Sequence, residues 1–164
     1  PAQERPPFPA NQPRTESPME RWLGHDCFDA AVHKRQIAEL RRIAPRATRY
    51  FIRLVVDGPD RRLMAVEHAA LREFYAKRQR FLADGERKIR VNSGRQIKDR
   101  PEPITQKQYV AERLKYFRIR LQVRAIEGLA VLKTDESEAF LKKLSADRQN
   151  PLGRIAADYL RDGR

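Results

Sequence analysis

The sequence has few of the residues from which enzymes usually build a site. Its 164 residues include one cysteine, Cys27, so an internal disulfide bond is excluded. It contains no glycine-rich phosphate loop and no pair of closely spaced cysteines, so the common nucleotide and zinc motifs are excluded. No stretch approaches the roughly eighteen consecutive apolar residues that a membrane-spanning helix needs. We therefore predict a chain without catalytic activity, cofactor or transmembrane segment.

One group of metal-ligating residue types lies near the N-terminus. His25, Asp29 and His33 are spaced i, i+4, i+8 and would share one helix face, with Cys27 between them in sequence. Ligands stacked over two helical turns diverge from a common point, and a tetrahedral zinc site normally draws its ligands from more than one element. His33 also falls on a predicted apolar stripe. We predict no metal site here, and the role of these residues stays open.

Positive charge, by contrast, is plentiful and unevenly distributed. There are 35 Lys and Arg against 22 Asp and Glu, a net charge of +13. The stretch 86–124 holds twelve of these bases and four of the acids, a net charge of +8, whereas 1–19 and 125–164 are neutral. Such concentration indicates a surface that meets an anionic partner. The 26 arginines against 9 lysines suit bidentate contacts with phosphate or carboxylate, although a high genomic GC content would give the same bias.

The chain divides into an arm and one helical domain. Residues 1–17 form a Pro-rich arm, because six of the eleven prolines lie in the first eighteen residues, and such a segment favours an extended, polyproline-like conformation. We predict that the arm packs on a neighbouring molecule or, equally well, along its own domain. Its contact residues would be Pro6, Pro7, Phe8 and Pro9. Residues 18–164 can bury a single core, and we predict a mainly α, irregular helical domain of about five to six helices.

The first half of the domain contains three helix signals. Ser17-Pro18-Met19-Glu20 is a capping box, which predicts a helix. The helix is weakened at Gly24, with a restart at Asp26 as the alternative, and runs to about Ala44, where Pro45 breaks or restarts it. Residues 46–57 match a helical stripe and also fit a short strand, and we prefer helix because the flanking segments are helical. The turn Gly58-Pro59-Asp60 precedes another helix, which we expect to end at Gly85.

A long basic connection separates the two halves. Residues 86–104 contain two turn-forming clusters and a weak strand signal at 88–91, and a connection of this length is usually functional or disordered. Thr105-Gln106-Lys107-Gln108 is a second capping box, which predicts a helix to about Lys133. Two short helices follow, with starts at Thr134 or Asp135 and at Asn150-Pro151.

The candidate contact residues are basic and fall into two sets. The first comprises bases of the connection and arginines that share one face of the following helix. The second is drawn from Arg41, Arg42, Arg46, Arg49 and Arg53. The residues are Arg87, Lys88, Arg90, Arg95, Lys98, Arg100, Arg113, Arg120 and Arg124 in the first set and Arg46 and Arg49 in the second. The aromatic residues among them, Tyr109, Tyr116 and Phe117, are predicted to lie in the core. Such a surface binds phosphates with salt-sensitive affinity, but it also fits an acidic protein or a merely solvated face.

These patterns favour a structural subunit of a large ribonucleoprotein assembly, namely a mitochondrial ribosomal protein that contacts rRNA phosphates and neighbouring protein subunits. The alternative is an accessory subunit of a mitochondrial inner-membrane respiratory or ATP synthase complex, with the basic surface on anionic lipid headgroups. A DNA-binding accessory protein of a phage or plasmid is a third hypothesis. The sequence matches neither the Leu-Tyr-Arg motif of small basic mitochondrial proteins nor the aromatic–basic signatures of sheet-based RNA-binding modules.

The expected location is the mitochondrion, on the matrix side, with the cytoplasm as the alternative. The chain begins at Pro1, a start that removal of a targeting peptide, removal of an initiator Met and a shortened sequence each explain. We favour the targeting peptide, because proteins imported into organelles are often basic.

Overall fold

The computed structural model describes residues 17–24, 29–93, 105–147 and 149–162, with side chains described except at 81–93 and 162. These residues form seven helices and no strand, which confirms the predicted helical fold class. The helices are α1 (Pro18–Gly24), α2 (Ala30–Arg42), α3 (Ala44–Asp57), α4 (Arg61–Ser93), α5 (Gln106–Leu132), α6 (Asp135–Ala146) and α7 (Pro151–Asp162). The predicted contact residues of the Pro-rich arm lie outside the described residues.

Helix α5 is the centre of the fold, since each of the other six helices packs against it. Eleven of its 27 residues are buried. Ala125, Ile126 and Leu129 retain no exposed surface at all. Full burial of one aliphatic side chain the size of leucine contributes about 1.5–3 kcal/mol, so this helix supplies a large share of the stability of the core.

Helix α3 lies antiparallel to α5 and approaches it closely. Phe51 packs against Gly128, where an added Cβ atom would lie 2.6 Å from the phenyl ring. Further along α3 and earlier on α5, the Gln122 amide nitrogen donates a hydrogen bond of 2.8 Å to the backbone carbonyl of Val55. Gln122 is buried, so this bond satisfies a polar group that would otherwise destabilise the interface.

Side-chain caps begin α1, α5 and α6, as the sequence predicts. Ser17 Oγ accepts a hydrogen bond of 3.2 Å from the Glu20 backbone nitrogen, and the Glu20 carboxylate accepts one of 2.8 Å from the Ser17 nitrogen. Thr105 and Gln108 exchange the same two bonds at the start of α5. Of the two candidate caps for α6, Thr134 is the one used. Each cap of this kind stabilises its helix by about 1 kcal/mol.

The segment 46–57 is helical, so the alternative of a short strand is wrong. Helix α2 ends at Arg42, and Ile43 leaves the helical conformation with φ −117° and ψ 25°. Pro45 lies in the first turn of α3, where its missing N–H breaks no intrahelical bond. Proline therefore restarts the helix here. The chain then leaves α3 at Gly58, whose φ of +84° is unfavourable for other residues, and this confirms the predicted turn.

Helix α4 is longer than predicted. It continues through Gly85 to Ser93, so the expected helix end at Gly85 and the weak strand at 88–91 are both wrong. Glycine inside a helix costs only about 1 kcal/mol relative to alanine, and the Glu, Arg and Lys residues that follow are good helix formers. The predicted basic connection at 86–104 therefore begins as helix, and 94–104 lie outside the described residues.

Helices α6 and α7 pack on each other as a C-terminal hairpin. Asn150 begins α7 as predicted, with its side-chain oxygen accepting a hydrogen bond of 3.0 Å from the Leu152 nitrogen. Gly153 lets the two helices approach, because a Cβ atom there would lie 2.6 Å from the carbonyl oxygen of Leu144. Leu141 and Ala156 are buried and join the hairpin to the main core.

Candidate nucleic-acid interface

The outward face of α3 carries three exposed arginines, which we call the α3 arginine face. Arg46, Arg49 and Arg53 are spaced i, i+3, i+7 and line one side of the helix over about 10 Å. The opposite side of α3 buries Phe51 and Leu54 in the core, and that packing fixes the direction of the arginines. Within the part of the chain that the structure describes, none of the three side chains forms an ion pair or a hydrogen bond. Their charges are therefore available to an external anion.

Arg113 and Arg120 are exposed on the first half of α5 and rest on aromatic rings. The guanidinium carbon of Arg113 lies 5.5 Å from the centre of the Tyr109 ring, and that of Arg120 lies 5.6 Å from the centre of the Phe117 ring. Both rings are buried, as predicted. Cation–π contact holds the two side chains against the fold while their charged ends face solvent.

The ring of Tyr109 is itself held by α4. It stacks on Phe74 with ring centres 6.4 Å apart and tilts against Tyr75 at 5.4 Å. These aromatic contacts join α4 to α5 below Arg113. The position of the Arg113 guanidinium thus follows from the packing of two helices rather than from a free side chain.

The prediction that Tyr116 lies in the core is wrong. Tyr116 leaves 68% of its surface exposed, whereas its chain neighbour Phe117 is buried. Consecutive residues differ in direction by about 100° on a helix, so two adjacent aromatic rings cannot both face the same packed side. Tyr116 instead lies between Arg113 and Arg120 on the exposed face.

Arg124 binds within the fold, although the sequence groups it with the contact residues. Its side chain is only 17% exposed and forms an ion pair with Glu127. It also donates a hydrogen bond of 3.0 Å to the carbonyl oxygen of Trp22 and lies 4.9 Å from the centre of the indole ring. The indole N–H donates in turn to the Arg124 carbonyl oxygen at 2.8 Å. These contacts join α1 to α5, so we leave Arg124 out of the candidate surface.

Glu67 of α4 faces Arg120 and modifies the charge of this surface. Burial raises the pKa of Glu67 above its ordinary value, and the positive charge of Arg120 opposes that shift less strongly. A carboxylate that is partly buried beside the arginine therefore balances part of its charge, whereas Arg113 has no such partner among the described residues.

The remaining predicted contact residues lie at or beyond the end of α4. Arg87, Lys88 and Arg90 belong to its last turns, where the structure describes the backbone alone. Arg95, Lys98 and Arg100 lie outside the described residues, as do Pro6, Pro7, Phe8 and Pro9 of the arm. Among the residues that the structure describes, the candidate contact residues are those of the α3 arginine face and, on α5, Arg113 and Arg120.

Of the group His25, Asp29 and His33, Asp29 has a structural role. Asp29 is the N-cap of α2 and accepts hydrogen bonds from the backbone nitrogens of Ala31 and Val32. The ring of His33 lies 5.3 Å from that of Trp22. His25 and Cys27 lie outside the described residues. In the described ranges no three His, Cys, Asp or Glu side chains are grouped so that they could share a metal ion.

Two residues have roles that the sequence pattern did not reveal. Arg118 of α5 donates a hydrogen bond of 3.2 Å to the carbonyl oxygen of Asp57 and so caps the C-terminal end of α3. Tyr116 is exposed between Arg113 and Arg120. Its angular position on α5, about 100° away from the buried Phe117, is the sequence signal that could have indicated this exposure.

Comparisons of the chain with models of known protein families, with curated protein sequences and with solved structures each give no match. None of the helices in the described ranges contains a segment both long and apolar enough to cross a membrane.

Proposed function

We propose that the protein is a non-enzymatic RNA-binding subunit of a ribonucleoprotein assembly, and among such assemblies we favour a mitochondrial ribosome. The observation that carries the proposal is the α3 arginine face, three exposed guanidinium groups on one side of a packed helix without a carboxylate partner among the described residues. Guanidinium groups bind phosphate oxygens through paired, charge-assisted hydrogen bonds. Phosphate is therefore the anion that best fits this surface.

Arg113 and Arg120 are further exposed bases, on a second helix. Their guanidinium groups are already held in place by aromatic rings, so binding a phosphate would immobilise them at a small further loss of side-chain entropy. A protein that contacts the RNA backbone at several fixed points recognises the RNA by its shape and by the positions of its phosphates rather than by its base sequence.

The C-terminal hairpin differs in charge from α3 and the first part of α5, and this supports a different kind of partner for it. Residues 125–164 are neutral overall, and several of their bases are paired with acids on the same helix. Lys142 lies 3.8 Å from Glu138, and Arg161 lies 2.8 Å from Asp158. A surface of paired charges suits protein neighbours better than a polyanion, so we assign α6 and α7 to contacts with other subunits.

The direct test is RNA binding as a function of salt concentration. The triple variant Arg46→Gln, Arg49→Gln, Arg53→Gln removes the α3 arginine face and should weaken binding to a structured RNA about tenfold or more near 150 mM salt. It should also reduce the slope of log affinity against log salt by about 2, since each neutralised phosphate contributes roughly 0.7–0.9. Filter binding or fluorescence anisotropy measures both quantities.

The matched control removes three charges elsewhere. Lys142→Gln, Lys143→Gln, Arg161→Gln changes three exposed bases of the C-terminal hairpin and should alter RNA affinity by less than about twofold to threefold, since it leaves the contact surface intact. Equal losses in the two triple variants, or no salt-dependent RNA binding by the unmodified protein, would falsify the proposal. Binding to anionic lipid vesicles is measured in parallel. Binding to vesicles but not to RNA would favour the alternative, an accessory subunit of a membrane complex.

The mitochondrial location is part of the proposal and needs its own test. Its support is the strongly basic composition, with 35 Lys and Arg in 164 residues. Fractionation of cells should recover the protein in the mitochondrial matrix, sedimenting with large ribonucleoprotein particles until the RNA is digested. Recovery in the cytosol as a free protein would contradict this location.

A further inference from the structure

Tyr116 is an exposed aromatic residue of α5. It leaves 68% of its surface in solvent, and Ile119, one turn later, leaves 41%. The other two aromatic residues of this half of α5, Tyr109 and Phe117, are buried. An exposed aromatic ring beside buried ones is not explained by the core and suggests contact with another molecule.

The exposed ring lies between two fixed positive charges. Arg113, Tyr116 and Arg120 have i, i+3, i+7 spacing and share one face of α5, and we call them the α5 strip. The two guanidinium groups are held 5.5 and 5.6 Å from the centres of buried rings. The strip therefore presents a flat aromatic surface with an anchored cation on either side of it along the helix.

We infer that the α5 strip binds unpaired nucleotides of RNA, with a base stacked on the ring of Tyr116 and the adjoining phosphates bound by Arg113 and Arg120. This inference rests on the proposed function and narrows its substrate from RNA phosphates in general to loops and single strands. Paired bases are enclosed in their duplex, whereas unpaired bases can be splayed out onto aromatic side chains. Stacking on an exposed ring accepts any base, because each base has a π-face.

The surroundings of the ring limit how a strand can approach. Glu112 is exposed one turn before Tyr116, and its charge repels phosphates. Arg113 and Arg120 lie on the other side of the ring, near the line where α4 packs on α5. The phosphates of a bound strand should therefore follow the arginine side, and Glu112→Gln should strengthen binding slightly.

The test compares two RNAs with the same number of phosphates, a hairpin with 2-aminopurine in its loop and a blunt duplex. Tyr116→Ala should weaken hairpin binding by about fivefold to a hundredfold, the range for loss of one stacked base, and should abolish quenching of the 2-aminopurine. Its affinity for the duplex and its salt slope should stay unchanged, since no charge is lost. Tyr116→Phe keeps the ring and should bind like the unmodified protein.

Tyr116→Leu separates stacking from apolar contact in general, because it keeps an apolar side chain and removes the ring. It should behave like Tyr116→Ala, and full hairpin affinity in this variant overturns the inference. The inference also fails if Tyr116→Ala binds the hairpin normally while the unmodified protein binds both RNAs, an outcome that leaves the proposed function intact. If the unmodified protein binds neither RNA, both the inference and the proposed function fail.

Discussion

The two longest helices of the molecule, α4 and α5, have opposite relations to the core. Helix α4 has 33 residues and α5 has 27. Among the side chains that the structure describes in α4, at 61–80, none is buried, whereas α5 buries eleven. Both helices carry apolar residues at helical spacing, so the pattern in the sequence does not distinguish them.

The difference teaches that periodicity predicts the direction of a helix face but not its depth. Leu71 and Phe74 of α4 are only half-buried, because α4 packs on one side of α5. Helix α5 is enclosed by six neighbours, so its inward sector is wide. The depth of burial depends on how many elements surround a helix, which is a property of the whole fold.

The largest test of this comparison truncates the same residue type in both helices. Leu129→Ala on α5 removes a side chain with no exposed surface and should reduce the free energy of unfolding by about 2–5 kcal/mol. Leu71→Ala on α4 removes a half-buried side chain and should reduce it by about 1 kcal/mol or less. Urea denaturation followed by circular dichroism measures both. Equal losses would show that α4 is as firmly held as α5.

A smaller effect is expected from adding one methyl group where α3 meets α5. In Gly128→Ala the new Cβ atom would lie 2.6 Å from the ring of Phe51, a fully buried side chain, and the overpacking should destabilise the protein by about 1–3 kcal/mol. Gly24→Ala is the control, since nothing lies within 4 Å of that Cβ position. It should change stability by less than about 0.5 kcal/mol.

A double variant tests whether the loss of stability in Gly128→Ala comes from contact with Phe51. Phe51→Leu opens space opposite Gly128 and destabilises the protein by itself, yet it should relieve the crowding in Gly128→Ala. The two changes together should then cost less than the sum of their separate effects. Strict additivity would mean that the methyl group of the variant is accommodated elsewhere.

The helix starts were predictable because their causes are local. The capping boxes at Ser17 and Thr105 need only residues three positions apart. The end of α4 was not predictable in the same way, because Gly85 only weakens a helix and the sequence contains no strong stop before Ser93. The local signals therefore failed at the end of α4, where the sequence contains only a weak one.

The sequence predicted that the contact residues are basic, but it did not predict which residues are exposed. Arg113, Arg120 and Arg124 lie at similar angles on α5, and helical spacing cannot tell them apart. Arg124 is covered because α1 packs over it and Trp22 meets its guanidinium. Tyr116 is uncovered, although aromatic residues are usually buried. Which sector of a helix is covered depends on residues about a hundred positions away in sequence, as Trp22 and Arg124 show.

The smallest expected effect concerns two glutamates of α4 that differ in their contact with α5. Burial raises the pKa of Glu67 above its ordinary value of 4.5, while the hydrogen bond and charge of Lys77 lower the pKa of the exposed Glu73 below it. Folding therefore favours the protonated form of Glu67 and the ionised form of Glu73. The stability contributed by protonated Glu67 is complete below pH 4.5 and is lost as pH rises through the raised pKa, whereas that of Glu73 is present above pH 4.5 and is lost as pH falls through the lowered pKa.

The two substitutions to glutamine should therefore have opposite signs at neutral pH. Glu67→Gln should make the protein more stable than the unmodified chain at pH 7, by less than about 1 kcal/mol because solvent screens a half-buried group. Glu73→Gln should make it slightly less stable, and both differences should vanish in acid below the respective pKa values. Urea denaturation at a series of pH values from 3 to 8 measures them. If Glu67→Gln is destabilising at pH 7, the attraction of Arg120 for the carboxylate outweighs the cost of its burial.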